Sequence, residues 1–290
     1  MTLPTNTGAV LDCAGRILDL SYPRVMGILN VTPDSFSDGG VLFSSGRVNA
    51  DQLCRQADAM LTAGAAVLDV GGESTRPGAA KVSEQEELDR VLPALELLVS
   101  RFDAIVSLDT STPRVMAEGA RLGAGMINDV RALCRPGALS AVAESQLPVC
   151  LMHMSGEPDT MQRDPRYDNV MGDVSRFLQE RVERCVEAGI DTRRIVLDPG
   201  FGFGKTHKHN FTLLRELSQL VELGFPVLAG LSRKSMIAHV IERESSERLS
   251  ASLSLAVLAA VKGARLLRVH DVEQTVDALA MVTAMEFGVV

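Results

Sequence analysis

Eight polar side chains stand at or near the ends of short apolar runs in this chain: Asn30, Glu73, Asp109, Asn128, Asp198, Lys234, Arg268 and His270. Their types suit a common chemistry. A carboxylate accepts two parallel hydrogen bonds from an amidine-like edge. A lysine can donate to a carbonyl, so Asp109, Asn128, Asp198 and Lys234 suit a flat heterocycle carrying N–H donors and a carbonyl. Arg268 and His270 suit an anion such as phosphate. Asn30 offers a neutral oxygen to Mg2+, which takes hard oxygen ligands and keeps waters and substrate phosphates. For one such acid alone, capping of the following helix is an equal reading. Five or more apolar runs ending this way favour one shared site.

The elements that would position these groups repeat. Apolar runs at 24–29, 66–70, 104–108, 126–127, 148–152, 194–197, 226–231 and 264–269 read as strands. Helical patterns lie between most of them, at 49–63, from 83 to about 100, from Thr112-Pro113, and at 168–188, 210–223 and 271–286. Ser83 to Glu86 resembles a capping box. A small hairpin at 11–20 turns near Ala14-Gly15, and extra turns at 242–247 follow the seventh strand. Eight strand–helix units predict a (β/α)8 TIM barrel with a short N-terminal hairpin, one domain over 1–290. An open doubly wound sheet is the alternative. In a barrel, the strands' C-terminal ends share one mouth, where the eight side chains would converge.

Composition narrows the partners. Of the 290 residues, 46% are hydrophobic and 23% charged, with net charge −8. That balance argues against non-specific binding to nucleic acid or acidic membrane. Five scattered cysteines without CxxC suit a reducing, cytoplasmic setting. No signal peptide and no apolar run of transmembrane length is evident. The Gly200–Thr206 stretch looks like a phosphate loop, but Pro199 stands where its first glycine belongs, and the GxGxxG spacing is missing. His207-Lys208-His209 is read as a polar surface loop rather than a metal site, and His153 as either a site-lining or a structural histidine. Two glycine-containing polar loops, from Thr32 to about Arg47 and from Gly72 to Gly78, occupy the position of lids.

At these residues the chain resembles the dihydropteroate synthase family, the folate-pathway enzymes blocked by sulfonamides. The matching stretches are MGILNVTPDSFSDGG (26–40), DVGGESTRPGA (69–79), SLDTS (107–111), INDV (127–130), LMHM (151–154), LDPGFGFGKT (197–206), SRKS (232–235) and RVHDV (268–272). The resemblance implies condensation of 4-aminobenzoate with (7,8-dihydropterin-6-yl)methyl diphosphate, giving 7,8-dihydropteroate and pyrophosphate by a dissociative, SN1-like path. It implies that Asp109, Asn128, Asp198 and Lys234 hold the pterin. Asn30, through Mg2+, would hold the diphosphate together with Arg268 and His270. Ser235 would receive the aminobenzoate carboxylate in a pocket lined by Thr75, Arg76, Pro77 and Phe203, with Phe36 closing over it. Asp109, Lys234 and Arg76 are the expected catalytic groups, and a homodimer is the expected assembly. Two other readings share the pterin pocket: a methyltetrahydrofolate methyltransferase type, which needs no diphosphate clamp, and a non-catalytic pterin-binding paralogue.

Overall fold

A computed structural model describes residues 10–32, 43–44, 47–74, 82–156 and 160–288. The hairpin is β1 (Val10–Cys13) paired antiparallel with β2 (Arg16–Asp19). After β3 (Arg24–Asn30) comes a two-residue ribbon, β4 (Phe43–Ser44) with β5 (Arg47–Val48). Then follow β6 (Val67–Gly71), β7 (Ile105–Asp109), β8 (Met126–Asp129), β9 (Val149–Met152), β10 (Ile195–Asp198), β11 (Leu228–Ala229) and β12 (Leu266–Val269). Eight strands pair in parallel in the order β10, β9, β8, β7, β6, β3, β12, β11. A parallel bridge between Leu197 and Val227 joins the two edges. The sheet therefore curls into a barrel, as the eight-fold repeat predicts, and the open-sheet alternative is set aside.

The helices are α1 (Ala50–Thr62), α2 (Glu84–Arg101), α3 (Pro113–Leu122), α4 (Ala138–Ser145), α5 (Val170–Glu187), α6 (His207–Arg215), α7 (Leu217–Val221), α8 (Ser235–Ile241), α9 (Leu249–Val261) and α10 (Val272–Phe287). The capping box at Ser83 forms reciprocally with Glu86, and Pro113 occupies the first turn of α3. Three differences from the sequence reading have local causes. Helix α4 lies between Gly137 and Gln146, both left-handed, and is too short to declare a period. The 210–223 pattern is two helices: α6 starts earlier, at a Thr206 cap, and Glu216 interrupts it at φ −103°. The seventh strand has only two ladder residues, because the chain leaves it for the turn that carries Lys234.

Strand parity decides what the barrel interior holds. One inward residue from each strand, Met26, Val67, Ile105, Met126, Cys150, Val196, Leu228 and Leu266, clusters with Leu11, Cys13, Leu18 and Leu20 of the hairpin. The hairpin thus plugs the N-terminal end. Two residues up, Ile28, Asp69 and Ser107 share a level, and two further up Asn30, Gly71, Asp109 and Asn128 align. Residues of the other parity, such as Val70, Leu108 and Leu197, join the outer core against the helices.

The loop after β10 is held from inside. Gly200 has φ +69°, and a Cβ there would collide with the carbonyl oxygen of His153. Lys205 is 3% exposed; its Nζ donates to the carbonyls of Gly200 (2.9 Å) and Phe203 (2.9 Å), and lies within hydrogen-bond distance of the His153 carbonyl (3.2 Å) and His153 Nδ1 (2.9 Å). The lysine of the phosphate-loop lookalike is therefore an internal clamp, and His153 is structural. His209 closes a capping box with Thr206, its Nδ1 accepting from the Thr206 amide, while His207 is exposed. Burial, and then the neighbouring Lys205 charge, lower the His153 pKa to about 3.

Two outcomes follow for stability. Leu11→Ala leaves a cavity in the barrel plug and lowers unfolding free energy by about 2–5 kcal/mol in urea titration. His153 binds its proton more weakly folded than unfolded, so stability drops as pH falls below the unfolded value of about 6.5, continuing toward the folded value of about 3. The wild type is expected to lose about 2 kcal/mol more than His153→Asn between pH 7 and pH 5; parallel denaturation curves for the two proteins would refute this.

Candidate active site

The upper interior of the barrel brings Asn30, Asp109, Asn128, Asp198, Lys234 and Arg268 to one mouth. Each is delivered by a defined element. Asn30, Asp109, Asn128 and Asp198 lie at the inward, C-terminal ends of β3, β7, β8 and β10. Arg268 is the inward residue of β12 above Leu266. Lys234 is the N-cap of α8, following Arg233, which sits at φ +57°.

Charges in this interior are paired but not balanced. Arg268 Nε donates to Asp69 Oδ2 at 2.6 Å, and its Nη2 to Asp109 Oδ2 at 2.7 Å. Asn128 Nδ2 donates to the same Asp69 oxygen at 3.1 Å. One guanidinium cannot neutralise two buried carboxylates fully. Burial pushes the Asp109 pKa up to about 7; Arg268 opposes the rise, and Asp69 adds to it. Burial works against the Arg268 charge, but Asp69 and Asp109 outweigh it and hold the guanidinium above its ordinary value. Asp198 is also raised by burial, against the pull of Lys234, and its Oδ1 accepts from the Gly200 amide at 2.7 Å. Burial lowers Lys234 to about 8, with Asp198 opposing. The Lys234 ammonium donates to the Phe201 carbonyl and lies 4.8 Å from the centre of the Phe203 ring, a cation–π contact. Glycine keeps the space open: a Cβ at Gly230 would touch Lys234 Nζ at 3.7 Å and Arg268 Cβ at 3.8 Å.

The two loops after β11 and β12 interlock. Ser232 Oγ lies 3.0 Å from His270 Nδ1, and the His270 amide donates to Ser232 Oγ at 3.3 Å. Arg233 forms a bidentate pair with Asp271. Ser235 is exposed at the start of α8, whose seven residues are few for a strong helix dipole. Glu73 is committed elsewhere: Arg131 donates to it at 3.1 Å and also to Ser111 Oγ at 3.1 Å. Thr75, Arg76, Pro77 and Phe36 lie outside the described residues.

Asp69 opens the stretch 69–79 but carries no role in the sequence reading, where 66–70 is an apolar strand. Its signal was parity: an acid two residues beyond Val67, facing the same interior. Arg233 and Asp271 were missed as well, since their pairing joins positions 38 residues apart.

Asn30 fits the minimal protein share of a Mg2+ site. It offers one neutral oxygen at the mouth, opposite the side-chain-free Gly71 and one register step from Asp109. Among the described residues there is no cluster of three His, Cys, Asp or Glu arranged for a metal. An ion here would therefore take most of its ligands from water and substrate.

Residues 26–270 match the family described as pterin binding enzyme. The chain is 53% identical over 274 residues to dihydropteroate synthase of Escherichia coli (strain K12), covering 94% of this chain and 95% of that one. A Yersinia pestis dihydropteroate synthase with a sulfonamide drug complex superposes with TM-score 0.92 at 54% identity, over 95% of this chain and 98% of that one. Xanthomonas albilineans dihydropteroate synthase in complex with 7,8-dihydropteroate gives TM-score 0.85 at 49% identity, over 96% and 99% of the two chains. With its barrel, its paired polar interior and these similarities in agreement, the chain belongs to the dihydropteroate synthase family of pterin-binding enzymes.

Proposed function

We propose that the site joins 4-aminobenzoate to (7,8-dihydropterin-6-yl)methyl diphosphate, forming 7,8-dihydropteroate and pyrophosphate by a dissociative path. The observation that carries this reading is the inward set Asp109, Asn128, Asp198 and Lys234 beside Arg268, in a chain of this family. Asp198 accepts from the guanidine-like edge of the pterin, Asn128 from a further N–H, and Lys234 donates to the ring carbonyl. Arg268 and His270 take the diphosphate, with Ser232 fixing the His270 ring. Mg2+, held by Asn30, would neutralise charge on the diphosphate. As the C–O bond breaks, its electron pair leaves with pyrophosphate and positive charge spreads into the pterin. Ionised Asp109 stabilises that charge. The arylamine then attacks and releases its proton; its low basicity makes a strong base unnecessary. Ser235 and Phe203 receive and line the aminobenzoate, with Thr75, Arg76, Pro77 and Phe36 completing that pocket.

The assay is pyrophosphate release with Mg2+ and the pterin diphosphate, with dihydropteroate followed by chromatography. Product is expected only when 4-aminobenzoate is added; pterin binding without product would overturn the reading. The pH dependence has a definite sign. Asp109 works ionised, so kcat/KM rises through about pH 7; Lys234 works protonated, so it falls above about pH 8. A flat profile across this range would count against both roles. We also infer a homodimer through α9 and α10, where Leu258, Val261, Met281 and Met285 are exposed. Sedimentation should give a dimer, with Met281→Glu shifting it toward monomer.

A further inference from the structure

Asp69 is the most buried acid of the interior, at 0% exposure, and it touches both halves of the site. Its Oδ2 accepts from Asn128 Nδ2 at 3.1 Å and from Arg268 Nε at 2.6 Å. It sits one layer below Asp109 on the neighbouring strand, level with Ser107. A carboxylate only accepts, so the Asn128 atom that faces it is the amide nitrogen. The Asn128 carbonyl oxygen is thereby turned away from Asp69. The same carboxylate holds Arg268 by Nε, while the outer Nη2 reaches Asp109. Asp69 lies a layer below the mouth, where ligand would meet Asn128 and Asp109 first.

We propose that Asp69 is a positioning residue that fixes the Asn128 amide with its carbonyl toward the pterin and, through the same oxygen, sets the Arg268 guanidinium at the anion end. This deepens the reading of the pterin pocket given above and rests on it. The consequence is selectivity. With Nδ2 held at Asp69, the Asn128 carbonyl oxygen stands at a fixed place where it favours an N–H on the ring edge, and a ring with an acceptor at that same place would set two acceptors face to face. Asparagine at 69 removes the constraint: its own amide can pair with Asn128 in either orientation. Arg268 then keeps its hydrogen bond to the Asp109 carboxylate.

The test is a double-mutant cycle on the full chain, with 6-hydroxymethylpterin as the calorimetric probe and circular dichroism to confirm folding. Asp69→Asn is expected to weaken the probe about tenfold in the wild-type background and less than about twofold in an Asn128→Ala background. Equal losses in both backgrounds, or no loss in either, would overturn the positioning role. Failure of the wild type to bind the probe would instead remove the pocket reading itself. A second measurement needs no variant at position 69. In protein labelled with 15N-asparagine, the Asn128 side-chain amide should exchange its hydrogens much more slowly than that of exposed Asn169. Equal exchange at the two amides would refute the Asp69 contact. For the reaction, Asp69→Asn should raise KM for the pterin diphosphate and lower kcat, leaving KM for 4-aminobenzoate unchanged; a uniform loss of active protein would change neither constant per active site and would refute the proposal.

Discussion

Closure of a parallel sheet imposes the constraint from which the rest follows. Once β10 meets the chain at Val227, every strand has one fixed inward parity, and a slip of one residue would exchange an outer core position for an inner one. The inner column then has two ends with opposite requirements. At the bottom it must be apolar and sealed, and the hairpin supplies Leu11, Cys13, Leu18 and Leu20 against one residue from each strand. At the top it must stay open and polar, and Gly71 and Gly230 omit side chains where strands of this parity would otherwise fill the mouth. Hydrophobic burial below and outside thus supports a polar interior that would be costly by itself.

That interior carries three acids, Asp69, Asp109 and Asp198, facing two cations, Arg268 and Lys234. Buried charges need partners. Burial raises both Asp109, to about 7, and Asp198; the shared Arg268 offsets the rise at Asp109 only in part, and the nearby Asp69 adds to it. On the proposed dissociative path, this excess of acids would favour positive charge developing on a bound ring more than a site with matched charges would.

The parts legible in the sequence are those written in local patterns. Apolar runs gave the barrel strands, the S-x-x-E pattern gave the cap of α2, and polar residues at strand ends gave Asn30, Asp109, Asn128 and Asp198. What escaped depends on contacts between distant segments. Lys205 looked like the lysine of a phosphate loop, and only the inward turn of the Gly200 and Phe203 carbonyls makes it a clamp. Asp129 follows Asn128 directly, yet the alternation of the strand sends it outward to accept from Ser111, Arg131 and Leu133. Glu73 ends a strand like the others, but Arg131 claims it. A residue type at a strand end marks a place; the neighbour that reaches it first determines the role.

The interlock of the last two loops shows how such distant contacts become chemistry. Lys234 and Arg268 stand on segments joined by the short β11–β12 ladder at Leu228 and Ala229, with the Arg265 and Leu266 amides donating to the Val227 carbonyl below it. So short a ladder holds the ends of those segments weakly. Above them, Ser232 binds His270 and Arg233 binds Asp271, while Arg248 donates to the Arg233 carbonyl at 3.0 Å and the Arg233 amide to Ser252 Oγ at 3.0 Å. The left-handed backbone at Arg233 is a strained conformation for a long side chain, and the bidentate pair with Asp271 offsets that cost. The turn is thereby tied to its neighbours, and the Lys234 charge acts on Asp198. The loop that carries Lys234 and the loop that carries His270 are thus held together by one set of side-chain contacts, Ser232 with His270 and Arg233 with Asp271.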